Sequence, residues 1–131
     1  MLKARTSREI EAAFATLERE RADALFVAPD AFLGSRRVQV ATLAARHAIP
    51  AAYPDRMFVE VGGFMSYGTD LAEAYRQVGI YTGRILKGEK PSELPVLQAT
   101  KFELVINLRT AKALGLAIPN SMQLLADEMI E

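Results

Sequence analysis

The chain has 131 residues, 16 Lys and Arg against 16 Asp and Glu, and no Cys. With half its residues apolar it is too hydrophobic for disorder and long enough for one domain with its own core. The charge balance offers no field to a nucleic-acid backbone, the lack of Cys excludes a disulfide framework, a thiolate metal site and a Cys nucleophile, and no apolar run approaches the roughly 18 residues of a membrane span. The N-terminal residues carry charge but no apolar stretch, so they do not read as a signal peptide, and the chain opens at once on a helix pattern.

Thr6-Ser7-Arg8-Glu9 reads as a capping box, and Ile10, Ala13, Phe14 and Leu17 then form one apolar helical stripe. Ala24 to Ala28 is a short apolar run stopped by Pro29-Asp30, the pattern of a strand buried on both faces. A second helix is expected from Gly34-Ser35, with Ser35 as N-cap, to Ile49-Pro50. Ala51-Ala52-Tyr53 is a weak strand ended by Pro54, and Met57 to Val61 fits a helical turn or a loop. After Gly62-Gly63, Phe64 to Tyr67 reads as a third strand. Thr69 or Asp70 caps a long helix whose inner side carries Leu71, Ala74, Tyr75, Val78, Thr82 and Ile85, with Gly88 just past its end. Pro91 and Pro95 delimit a polar connection. Phe102, Leu104, Ile106 and Leu108 alternate as in a half-buried strand. A short helix stops at Gly115, and Asn120 or Ser121 starts a last helix that runs to the C-terminus. This alternation argues for an α/β fold with helices covering a mostly parallel sheet.

The motifs of common chemistries fail on spacing. Gly83 to Lys90 approaches a phosphate-binding loop, but Glu89 stands where its Lys is needed and the segment ends a helix instead of following a strand. Gly62, Gly63 and Gly68 lack the dinucleotide fingerprint. Gly79 and Gly83 suggest close helix packing. His47, the only His, completes neither a zinc site nor a triad. Asp55, Glu60, Asp70 and Glu73 show no metal-ligand spacing. No catalytic, metal or cofactor site is therefore expected. What remains is polar and aromatic residues at strand ends, where open parallel sheets bind ligands. These are Pro29, Asp30 and Phe32 after the first strand, Tyr53, Asp55 and Arg56 after the second, and Ser66, Tyr67 and Gly68 after the third. Arg56 suits a carboxylate, and Phe32, Tyr53 or Tyr67 suits an apolar body; the same residues also fit ordinary turns and surface.

Several segments read together resemble a known family. They are Ala22 to Val27, Ala44-Ala45-Arg46-His47-Ala48-Ile49-Pro50-Ala51, Gly62 to Gly68, Gly83 to Val96, Lys101 to Leu108, and Thr110 to Leu116. In order and spacing they are similar to the C-terminal part of ABC-transporter substrate-binding proteins with the type I periplasmic-binding-protein fold. The resemblance covers nearly the whole chain. It implies a three-layer, mostly parallel α/β fold, incomplete here, because members are about twice this length and trap ligand between two lobes. Residues 1–62 would correspond to part of the second lobe, 63–90 to a return into the first, and 91–131 to the hinge return with the C-terminal strand and helices.

By the same resemblance the protein is not an enzyme. It would be the solute-binding component of an importer, taking a small organic solute such as an amino acid and passing it to an ABC permease. Asp30, Phe32, Tyr53, Arg56, Ser66 and Tyr67 would line the ligand cleft. Full-length members are periplasmic or lipid-anchored outside the cytoplasm, whereas this chain as written would stay inside. Leu71, Tyr75, Val78 and Ile85 would face a sheet that is absent, which predicts an exposed apolar stripe, a homodimer through it, and weak or no ligand binding by the chain alone. An alternative is an effector-sensing regulatory domain of the same fold acting through dimerisation. A small α/β enzyme or phospho-acceptor domain would need an acidic cluster at strand ends and a strand-end Lys; only Asp30 is present.

Overall fold

The computed structural model describes residues 1–98 and 101–131. They divide into two units, one formed by residues 1–68 and 103–131 and the other by residues 69–102. The resemblance placed boundaries at 62/63 and 90/91; the units part at 68/69 and 102/103.

In the first unit, helix α1 (Ser7–Arg19) starts at Thr6, whose hydroxyl accepts from the Glu9 amide at 3.2 Å. The Glu9 carboxylate reaches back to the Arg5 amide at 2.7 Å, one residue before the cap. Strand β1 spans only Leu25–Phe26. Helix α2 (Ala31–Ser35) is capped by Asp30, whose Oδ1 accepts from the Leu33 amide at 3.0 Å. The expected cap at Ser35 is therefore displaced: an extended Asp30 caps the helix five residues earlier, and the Ser35 hydroxyl donates to the Phe32 carbonyl instead. Helix α3 (Arg37–Arg46) follows, then β2 (Ala51–Tyr53). The ambiguous stretch forms helix α4 (Arg56–Glu60), because the Asp55 side chain accepts from the Met57 amide.

Strands β3 (Met65–Thr69), β4 (Phe102–Asn107) and β5 (Glu128–Ile130) complete a five-stranded sheet in the order β1-β2-β3-β4-β5. Leu25 pairs with Ala51 and Tyr53 with Ser66, both parallel; β4 and β5 are also parallel, with Val105 opposite Glu128. The Asn107 amide donates to the Phe64 carbonyl and the Asp70 amide to the Lys101 carbonyl, so β3 and β4 run in opposite senses. The sheet is thus mostly parallel. Strand β5 was not expected. The last helix, α7 (Asn120–Leu125), ends at an extended Ala126, and Asp127 exchanges hydrogen bonds with the Leu104 backbone. Helix α6 (Leu108–Ala113) is capped by the Asn107 side chain.

The core of this unit gathers Ile10, Phe14, Val27, Val40, Ala44, Ile49, Ala51, Tyr53 and Phe58. Burial of such side chains supplies roughly 1.5–3 kcal/mol each before entropy is counted. Helices α1, α3 and α4 pack on one another over this face of the sheet. Because strand side chains alternate, Phe26, Ala52, Met65 and Tyr67 point the other way. Phe26 is 70% exposed, so β1 is buried on one face and not on both. His47 stacks on Phe14 at 5.8 Å, and its Nδ1 lies 2.9 Å from Glu18, a packing role.

The second unit is helix α5 (Leu71–Leu86) followed by a 3-10 turn at Pro91–Glu93. Asp70 caps α5 through the Glu73 amide at 3.0 Å, and its other oxygen meets Lys101 Nζ at 2.8 Å. Tyr81 donates its hydroxyl to the Pro95 carbonyl at 2.6 Å. No residue of α5 is buried, and Tyr75, Val78 and Ile85 are exposed, as the apolar-stripe reading expected. A Cβ added at Gly79 or Gly83 would meet nothing within 4 Å, so the expected close helix packing at these glycines is absent among the described residues.

Candidate functional site

Chain direction sets which side chains reach the carboxyl edge of β1, β2 and β3. Asp30 sits just beyond β1, exposed, and is committed locally as the cap of α2. Phe32, one turn into α2, is half-buried against the core, with the Arg36 guanidinium 5.9 Å from its ring centroid. Beyond β2, Asp55 caps α4 and thereby fixes the position of Arg56.

Arg56 gathers three carboxylates from three elements. Its Nε donates to Glu60 at 2.8 Å, and its terminal nitrogens to Glu103 at 3.3 Å and Glu128 at 2.8 Å. The hydrogen bond that Arg56 donates to Glu60 is the largest of several effects that raise the guanidinium's pKa further, with partial burial opposing them. Arg56 therefore stays charged and is already well supplied with anions, while its side chain keeps 34% exposure. The Arg56–Glu60 pair was legible as an i,i+4 spacing. Glu103 and Glu128 lie 47 and 72 residues from Arg56, and only the return of β4 and β5 brings them there.

Tyr53 and Ser66 are register partners that point into the core. Tyr53 is 1% exposed and stacks on Phe58 at a centroid distance of 4.8 Å; Ser66 is fully buried. Burial pushes the Tyr53 hydroxyl pKa up, which keeps the phenol neutral. Neither side chain reaches solvent in this chain. Tyr67, next along β3, is 64% exposed on the opposite face. Gly68 then passes so close to Pro54 that an added Cβ would lie 1.8 Å from the Pro54 carbonyl oxygen. That contact holds the ends of β2 and β3 together and allows no side chain there. Asp30, Phe32, Arg56 and Tyr67 thus present atoms at the surface, whereas Tyr53 and Ser66 lie behind them.

The chain is an α/β protein with an open, mostly parallel sheet that carries polar and aromatic groups at its strand ends. Residues 1–130 match the model of the ABC transporter substrate binding protein family, and the chain belongs to that family. It is similar to a conserved domain protein of Vibrio cholerae O1 biovar El Tor, at 27% identity and a TM-score of 0.84 over 96% of this chain and 42% of that one. It is also similar to the ABC domain of Streptococcus pneumoniae in complex with L-Trp, at 27% identity and a TM-score of 0.86 over 98% of this chain and 44% of that one. A ligand-free, open substrate-binding protein with adhesive properties from Clostridium difficile shares the fold, at 24% identity and a TM-score of 0.65 over 97% of this chain and 42% of that one. The chain therefore spans less than half the length of these solved relatives. No curated protein sequence matches it. No helix among the described residues is long and apolar enough to cross a membrane.

Proposed function

We propose that this chain supplies one wall of a solute-binding cleft in an ABC-type importer, and that the solute is a small organic molecule such as an amino acid. The observation that carries the reading is the family match over residues 1–130, joined to a structural relative in complex with L-Trp. Asp30, Phe32, Arg56 and Tyr67 would touch the solute, with Tyr53 and Ser66 as the buried layer that holds them. In a protein of the relatives' length, residues 1–62 would belong to the second lobe, 63–90 to a return segment of the first, and 91–131 to the hinge return. Binding would select the closed arrangement of the lobes, and the loaded protein would pass its solute to a membrane permease outside the cytoplasm.

The test is a thermal-shift and calorimetric screen of amino acids, including L-Trp, on a form of the protein with the relatives' length. Saturable binding that Tyr67→Ala and Asp30→Ala weaken at least tenfold supports the reading. Wild-type binding unchanged by both substitutions removes the proposed wall, and no binding to any amino acid removes the solute class.

The exposure of α5 favours a second reading, self-association, on which an effector-sensing role through dimerisation also depends. Tyr75 is 74% exposed in a helix that buries nothing. Light scattering on this chain should show a dimer that Val78→Glu dissociates. A monomer at low micromolar concentration that binds no hydrophobic dye ends this reading.

A further inference from the structure

A small cavity of about 10 Å³ lies in the first unit, lined by Tyr53, Gly62 and Thr110 and by apolar side chains that include Ala44, Ala51 and Leu114. That volume is about the minimum that a single water needs, and a water also needs two or more polar partners. Tyr53 provides one. Its hydroxyl is buried without a hydrogen-bond partner among the described residues, although its ring is tightly placed against Phe58. Thr110 and Gly62, also in its lining, are the other candidates. The Thr110 hydroxyl donates to the Gly62 carbonyl at 3.0 Å, which leaves lone pairs on both oxygens.

We propose that this cavity is a binding site for one structural water, held between the Tyr53 hydroxyl and the Thr110–Gly62 pair. The Tyr53 hydroxyl donates to the water, and the water donates to Thr110 Oγ1 or the Gly62 carbonyl. The alternative is a dry cavity, which the many apolar walls would favour. Leaving a buried phenol hydroxyl unsatisfied costs more than immobilising one water, and that decides between them. The water would tie β2 to the turn before β3 and to α6. The inference is independent of which solute, if any, the protein takes.

The sign of one substitution separates the two states. Tyr53→Phe removes only the hydroxyl and keeps the stacked ring. If the water is present, its loss lowers Tm by about 2–5 °C. If the hydroxyl is bare, the same change leaves Tm unmoved or raises it, which overturns the proposal. A direct readout accompanies it: nuclear Overhauser transfer from a long-lived water to the Tyr53 ring protons in the wild-type protein, absent in Tyr53→Phe. A lowered Tm without that transfer in the wild type also overturns the proposal, because the loss would then come from packing. Thr110→Val should weaken the same signal while leaving the Tyr53 ring in place.

Discussion

Residues 1–68 with 103–131 and residues 69–102 are built from the same kinds of sequence and reach different ends. Both contain a helix opened by an Asp or Thr cap and carrying an apolar stripe. In α1 the stripe of Ile10 and Phe14 is buried against strands and α3. In α5 the corresponding stripe of Tyr75, Val78 and Ile85 is exposed. Amphipathicity thus says that a helix has a face to bury, not that the surface it needs is in the same chain. The second unit carries polar contacts: Asp70 with Lys101, Glu73 with Arg76, Arg84 with Glu89, and Tyr81 with Pro95. Exposed ion pairs of this kind add little stability, with a median of about 0–1 kcal/mol.

The sharpest way to break this contrast is a pair of truncations. Phe58→Ala should cost roughly 3–5 kcal/mol of unfolding free energy in urea, since it opens a cavity beside Tyr53. Tyr75→Ala on α5 should change it by less than about 0.5 kcal/mol. Equal losses would mean that α5 is packed after all. Next comes Arg56→Met, which removes the guanidinium that Glu60, Glu103 and Glu128 share. A loss of about 1–3 kcal/mol is expected, with partial recovery in the double variant Arg56→Met, Glu128→Gln. No coupling in that cycle would show that Arg56 does not fasten β5.

Caps give a smaller effect. Asp30→Ala removes the acceptor for the Leu33 amide and should cost about 1 kcal/mol in the same global transition. Asp70→Ala should fray α5, seen as faster amide exchange over residues 71–74, with little change in that transition. The smallest effect concerns Glu73. Hydrogen bonds from Arg76, then Gln77, lower its pKa from 4.5 to about 2. A depressed carboxylate contributes stability that is fully present above 4.5 and lost as pH falls toward 2. Side-chain NMR titration should find Glu73 near the lower value, and Arg76→Gln should return it toward 4.5. A wild-type value already near 4.5 would mean that the Glu73–Arg76 pair is absent in solution.

The solute edge shows the division between sequence and fold in miniature. Asp30, Phe32, Arg56 and Tyr67 were placed at strand ends from sequence alone because Pro29, Pro54 and Gly68 mark where strands stop. Nothing local distinguishes Tyr67, which faces outward, from Tyr53, which faces the core; the pairing of Tyr53 with Ser66 decides that. Likewise the acids that meet Arg56 were visible as residues but not as neighbours.

By itself, the sequence determined the existence of the long segments α1, α3, α5 and β4, and the α/β class. These rest on periodicity and caps, which act within a turn or two of chain. It also carried the family, since the resemblance spread over the whole chain agrees with the match over residues 1–130. The tertiary structure decided two things. Asp30 rather than Ser35 opens α2, and Glu128–Ile130 pairs as a strand against β4 rather than continuing a helix. Each depends on partners distant in sequence or on a competition between neighbouring caps. Apolar stripes and hydrogen-bonding edges state only what a segment can bury or pair; which surface takes them is settled when the chain closes on itself.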